Sequence, residues 1–211
     1  MKALFSISVL INSIARAVGR ARISILTIAG AYIISILIGM VMVHAGNTLA
    51  LNYRDQLVRK AVQQSPALAA SQGDNLQAAL WDFSGNLVIG AFPQTVMGLG
   101  IIFPYPSVVY QGWVGGIVSV RSDHTSRLND PRPAVYYLLT LFLQVIPYSL
   151  AVGAGVNVGV SLFRPPPYYQ TGKWLGLFPK EALWDAGRIY LLVIPLFLVA
   201  SLWEFLSSWN I

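Results

Sequence analysis

The chain has 211 residues, of which 55% are apolar and only 10% charged, and its mean hydropathy is +0.61. An ordinary soluble domain carries about 25% charged residues, so this composition predicts an integral membrane protein. The net charge of +6 forms no basic stripe interleaved with aromatics, which excludes a nucleic-acid partner. The lack of cysteine excludes disulfides, thiol nucleophiles and thiolate metal sites.

Residues 1–22 come first. The stretch from Met1 to Ala17 has the outline of a secretory signal, with Lys2, an apolar run and Ala15-Arg16-Ala17, but is expected to be retained. On a helical wheel Lys2, Ser6, Asn12, Ser13, Arg16 and Arg20 fall on one side and Leu4, Ile7, Leu10, Ile11, Ile14 and Val18 on the other. That segregation predicts an amphipathic helix in the cytoplasmic interface, its basic face toward anionic headgroups. An extension of the first span is the competing reading.

Residues 23–211 are predicted to form a single multispan domain. The first span covers residues 23–45, long enough for a hydrocarbon core of about 30 Å. A polar stretch at 47–75 predicts a short surface helix. Apolar runs at 80–103 and 108–120 read as a membrane hairpin, the second run crossing or re-entering; re-entrant backbone survives only when protein covers it. A fourth span is expected at 134–163 and a fifth at 188–207, joined by a loop at 164–187 rich in Pro, Gly and aromatics. The triple proline of that loop, Pro165 to Pro167, reads as a helix stop. The fold class is therefore an all-α integral membrane protein with about five membrane-embedded helices plus the interfacial helix. Lysines and arginines near span ends number eight on the N-terminal side and six on the other. This favours a cytoplasmic N-terminus in a multi-pass protein of a bacterial-type cytoplasmic membrane.

Polar groups inside spans are costly and each asks for a partner. Asp82, Asn86, Gln144 and Glu204 fall at related depths in spans two, four and five and are candidates for one cluster; Asn157 is a further intramembrane polar residue. Glu204 lies sixteen residues beyond Arg188, about 24 Å along a helix, so its expected partners are Arg121, Arg127 or Arg132. His44 and His124 have no ligand-spaced carboxylates beside them, and no nucleophile elbow or phosphate loop occurs, so neither a metal, a cofactor nor catalysis is expected.

Ala151, Gly155 and Gly159 recur every fourth residue and line one helix face. Without a hydrophobic drive between helices in lipid, such a stripe serves close backbone packing. Gly112 and Gly116 give the third run the same character. Spans two, three and four are expected to pack together, with an outside helix as the rival occupant of the stripe.

The segments "WDFSGNLVIGAFPQTVMGLG", "YQGWVGG", "LQVIPYSLAVGAGVNVG" and "ASLWEF", taken in this order, resemble the stage II sporulation protein M family over residues 80–206. Asn86, Gly112, Gly116, Pro147 and Glu204 match the family's pattern. Tyr148 and Ser149 replace its histidine and glycine, and Val152 stands near its expected glutamate. The resemblance implies a multispan scaffold that anchors partners. The expected function is a non-enzymatic membrane scaffold or accessory subunit of a larger complex, packing through small-residue faces, with membrane lipids and other membrane-protein subunits as partners. A permease-like transporter component is the alternative.

Overall fold

The computed structural model describes residues 2–167, 169 and 172–209, with side chains from Ile7 onward. The described residues are mainly helical: α1 (Lys2–His44), α2 (Thr48–Ala61), α3 (Ser65–Ser71), α4 (Asn75–Ser84), α5 (Phe92–Gly98), α6 (Pro104–Ile117), α7 (Pro131–Phe163) and α8 (Lys180–Leu206). A two-strand ribbon, β1 (Lys173–Trp174) against β2 (Phe178–Pro179), interrupts the all-α expectation. Its turn uses positive φ at Leu175 and Gly176.

Helix α1 is a single rod of 43 residues, about 65 Å long. It runs through position 22 without a break, and Ala17 and Ala21 are fully buried in a core shared with Ala151, Ala154, Ile189, Val193 and Phe197. The interfacial helix expected at 1–22 is thus corrected: it is the first part of the long helix, because alanines on one side of the segment let α7 and α8 pack against it. The rod stops where Gly46 takes positive φ (72°), and the Asn47 side chain caps α2 by accepting from the Ala50 N–H at 3.0 Å.

Three helices are long and apolar enough to cross a membrane: α1 from Ile7, α7 and α8. The expectation of five spans is met only that far. The run expected at 80–103 is a composite rod, in which α4 and α5 are joined by a π-helical segment, Gly85–Ala91. Pro93 supplies a reason for the wide turns. It has no N–H to close an α-turn onto Ile89, and its ring would crowd that carbonyl. Helix α6 has 14 residues, about 21 Å of rise, and begins behind Pro104.

Residue pairs fix the arrangement. Helix α6 lies parallel to α1, with Gly112 against Tyr32 and Gly116 against Ile36 and Met40. Helix α7 runs antiparallel to α1, Gly153 meeting Ile25, and antiparallel to α8, where Tyr136 approaches Glu204 and Val158 approaches Ala182. Helix α5 is parallel to α7. The packing expected among spans two, three and four is therefore corrected in part: two and four do interlock, but the glycine face of α6 is turned to α1.

Candidate functional site

The sequence places Asp82 and Asn86 in the second apolar run, Gln144 in the fourth span and Glu204 in the fifth, and folding brings them to one polar centre. Asn86 sits in the π-helical segment, a geometry that often marks functional positions because it re-aims side chains. Its amide donates to Asp82 Oδ2 at 2.9 Å, and its carbonyl accepts from the Tyr148 hydroxyl at 2.8 Å. Asp82 Oδ2 also accepts from buried Ser201 at 2.7 Å. From α7, Gln144 donates to Glu204 Oε2 at 3.4 Å, and the Tyr136 hydroxyl donates to the Glu204 backbone carbonyl at 2.7 Å. All of these bonds but Asn86–Asp82 tie one helix to another.

Two cavities meet at this centre. One, of about 340 Å³, is lined by Tyr32, Asn86, Gln111, Gln144 and Tyr148. The other, of about 690 Å³, is lined by Gln63, Gln64, Trp81, Asp82 and Asn86. Asn86 belongs to both walls, and Tyr32 donates to Gln111 across the first cavity. The buried Oε1 of Gln144 is left without a partner.

Asn157 takes no part in the centre. It belongs to a second network near the other end of the bundle, where its amide donates to the Tyr169 hydroxyl at 3.0 Å. That hydroxyl donates to Asp185 Oδ2 at 3.0 Å. Asp185 is fully buried and also takes the guanidinium of Arg20, with Nε at 2.5 Å, and Nη1 of Arg188 at 2.8 Å. Arg188 reaches Glu181 at 3.1 Å. Sequence reasoning missed this network. It assigned Asp185 to a loop, whereas α8 already starts at Lys180, and it assigned Arg20 to headgroups. The available signal was the Asp185–Arg188 spacing, which puts both on one face of a helix.

The expected arginine partners of Glu204 are also corrected. Arg121, Arg127 and Arg132 gather with Arg54 around a separate cavity, and Arg132 donates to the Ser208 carbonyl at 2.5 Å. His124 pairs with Asp55 at 3.1 Å and His44 with Ser126 at 2.8 Å. No metal-competent group of His, Cys, Asp or Glu occurs among the described residues.

The small-residue positions are backbone contact points. A Cβ at Gly155 would run into the carbonyl of Thr95, and one at Gly159 would lie 2.6 Å from the Leu99 carbonyl oxygen. Thr95 adds a hydrogen bond to the Ala151 carbonyl at 3.0 Å. The stripe is occupied by α5, from within the chain.

No family model matches the chain, and no curated protein or solved structure matches it either.

Proposed function

We propose that the chain is a non-enzymatic scaffold or accessory subunit of a larger membrane complex, embedded through five helical passes with its N-terminus cytoplasmic. The carrying observation is what the fold leaves uncovered. Its small-residue faces and intramembrane polar groups are used internally, yet only 28% of the most apolar stretch of each of α1, α7 and α8 is covered by the chain itself. An apolar groove of about 490 Å³ runs between α1 and α7, lined by Ile25, Ala29, Ile33, Leu37, Phe142 and Ile146. Lipid or a partner helix covers such a surface, and a groove between two rods suits a third. Asn86 and Glu204, two positions that match the pattern of the stage II sporulation protein M family, both belong to the polar centre, and Tyr148, where the family has a histidine, bonds Asn86; a divergent member of that family fits this arrangement.

The test is purification from native membranes in mild detergent, with and without Ala29→Trp. The bulky residue fills the groove without touching the polar centre. Loss of a co-purifying membrane subunit at unchanged thermal stability supports the reading; a lone homogeneous species in the unaltered protein sinks it.

The meeting of two cavities at Asn86 favours one second reading, a permease-like component. Flux of a solute or proton in reconstituted vesicles, lost on Asn86→Leu while assembly persists, would select it over the scaffold.

A further inference from the structure

The cavity at the end of the bundle remote from Asp185 is walled by arginines from three parts of the chain: Arg54 of α2, Arg121 and Arg127 of the 118–130 loop, and Arg132 at the start of α7. Tyr136 and Trp209 complete a space of about 310 Å³. Arg54 is only 3% exposed. One of its terminal nitrogens holds Asp55 at 2.9 Å, but its buried Nε has no partner. The buried Nε of Arg127 has none either. Arg121 has Asp130 at 3.5 Å, both well exposed. Among the described residues no carboxylate pairs with Arg127 or Arg132.

Arg54 is buried and Arg127 partly so, whereas Arg121 and Arg132 are exposed, and four like charges around one cavity favour a bound anion. Burial, and then the neighbouring charge of Arg54, holds the Arg127 guanidinium below its ordinary pKa. The four guanidinium groups of the lining define the chemistry of a fitting ligand. It must be anionic, offer several acceptor oxygens and fit a space smaller than a nucleotide site. Phosphate meets all three, and arginine forks match its oxygens. Trp209 and Tyr136 have the amphipathic character of side chains at a membrane interface, so a phosphate reaches the cavity either as a lipid headgroup or from solution.

We propose that this cavity is a phosphate-binding site, closed by Arg54, Arg121, Arg127 and Arg132, that takes a phosphomonoester, an anionic phosphodiester headgroup or inorganic phosphate. Binding ties α2, the 118–130 loop and α7 together at one end of the bundle.

The test uses the full chain in neutral-detergent micelles. Tryptophan fluorescence and thermal unfolding are followed as inorganic phosphate is added, against sodium chloride at equal ionic strength. A parallel series adds phosphatidylglycerol to the micelles, against phosphatidylcholine. Saturable quenching and a raised Tm with phosphate or phosphatidylglycerol, absent with the controls, is the expected result. Removing one charged donor by Arg127→Gln should weaken that affinity at least about tenfold, while the ligand-free Tm holds or rises because repulsion is relieved. Arg132→Gln should weaken binding in the same way and guards against a folding defect at Arg127. A response to phosphatidylglycerol alone assigns a lipid source; a response to both, with competition, assigns a soluble anion. No specific response to either ligand, or equal affinity in both variants and the parent, overturns the site.

Discussion

A carboxylate stripped of water is stable only if cations and donors replace the water, and Asp185 illustrates how fully this chain provides them. Its two oxygens take Arg20, Arg188 and the Tyr169 hydroxyl. Asp185→Asn would remove the charge that Arg20 and Arg188 both meet at the buried centre of the network, leaving Glu181 at 4.0 Å from Arg20, so stability should fall by about 3 kcal/mol. Glu181→Gln alters an ion pair about one-third exposed and should cost less than about 1 kcal/mol. Thermal unfolding of both variants in one detergent separates the two effects; equal losses would show that burial is not the cause. At the other end of the bundle the Arg54 guanidinium, and then His124, hold the Asp55 carboxyl below its ordinary value of 3.8. A depressed folded pKa contributes stability above the unfolded value that disappears as pH falls through the folded one. The Tm should therefore drop as pH falls through and below 3.8, and Asp55→Asn should flatten that acid limb. An unchanged acid limb would remove Asp55 from the account.

Among the elements, α7 depends on what it lacks. Side-chain bulk is absent at Gly155 and Gly159 because the backbone of α5 occupies the space. A side chain at Gly155 meets main chain, which cannot rotate away, so Gly155→Leu should destabilise the isolated protein toward the upper end of the usual overpacking range of about 1 to 3 kcal/mol. Val160 is exposed, and Val160→Leu should leave the stability within about 0.5 kcal/mol of the parent. Equal Tm values for Gly155→Leu and the parent in detergent would contradict the observed contact. The stripe itself was legible in the sequence, since a four-residue repeat of small side chains can face only one way on a helix. Its occupant was not legible. Glycines on α5, α6 and α7 look alike in one dimension, and only their pairing shows that Gly98 and Gly155 meet while Gly116 is turned to α1.

For the whole molecule, the direction of each rod places α1's first residues and α8's last residues at opposite ends of the bundle. Asn12 and Asn52 are both exposed, and α1 carries the chain from Asn12 to His44 over about 48 Å, beyond the hydrocarbon thickness of about 30 Å. The native chain has no cysteine, so single cysteines at Asn12 and Asn52 can be labelled without background. They should react with a membrane-impermeant reagent from opposite sides of a sealed vesicle. Labelling from one side would mean that α1 does not cross.

Composition and helical periodicity alone determined the membrane character, the long apolar helices and the small-residue face of α7, because these depend on local free energies that each segment carries with it. Intramembrane cost also marked Asp82, Asn86, Gln144 and Glu204 as groups in need of partners. Which partners they have was decided by tertiary structure. The Asn86 amide meets Tyr148, Asp82 meets Ser201, and Glu204 meets Gln144 in place of an arginine. The same holds for Arg20 with Asp185 and for the arginines round the phosphate-sized cavity. Such contacts depend on helix rotation and depth, set by the packing of every neighbour at once, and no window of sequence contains that information.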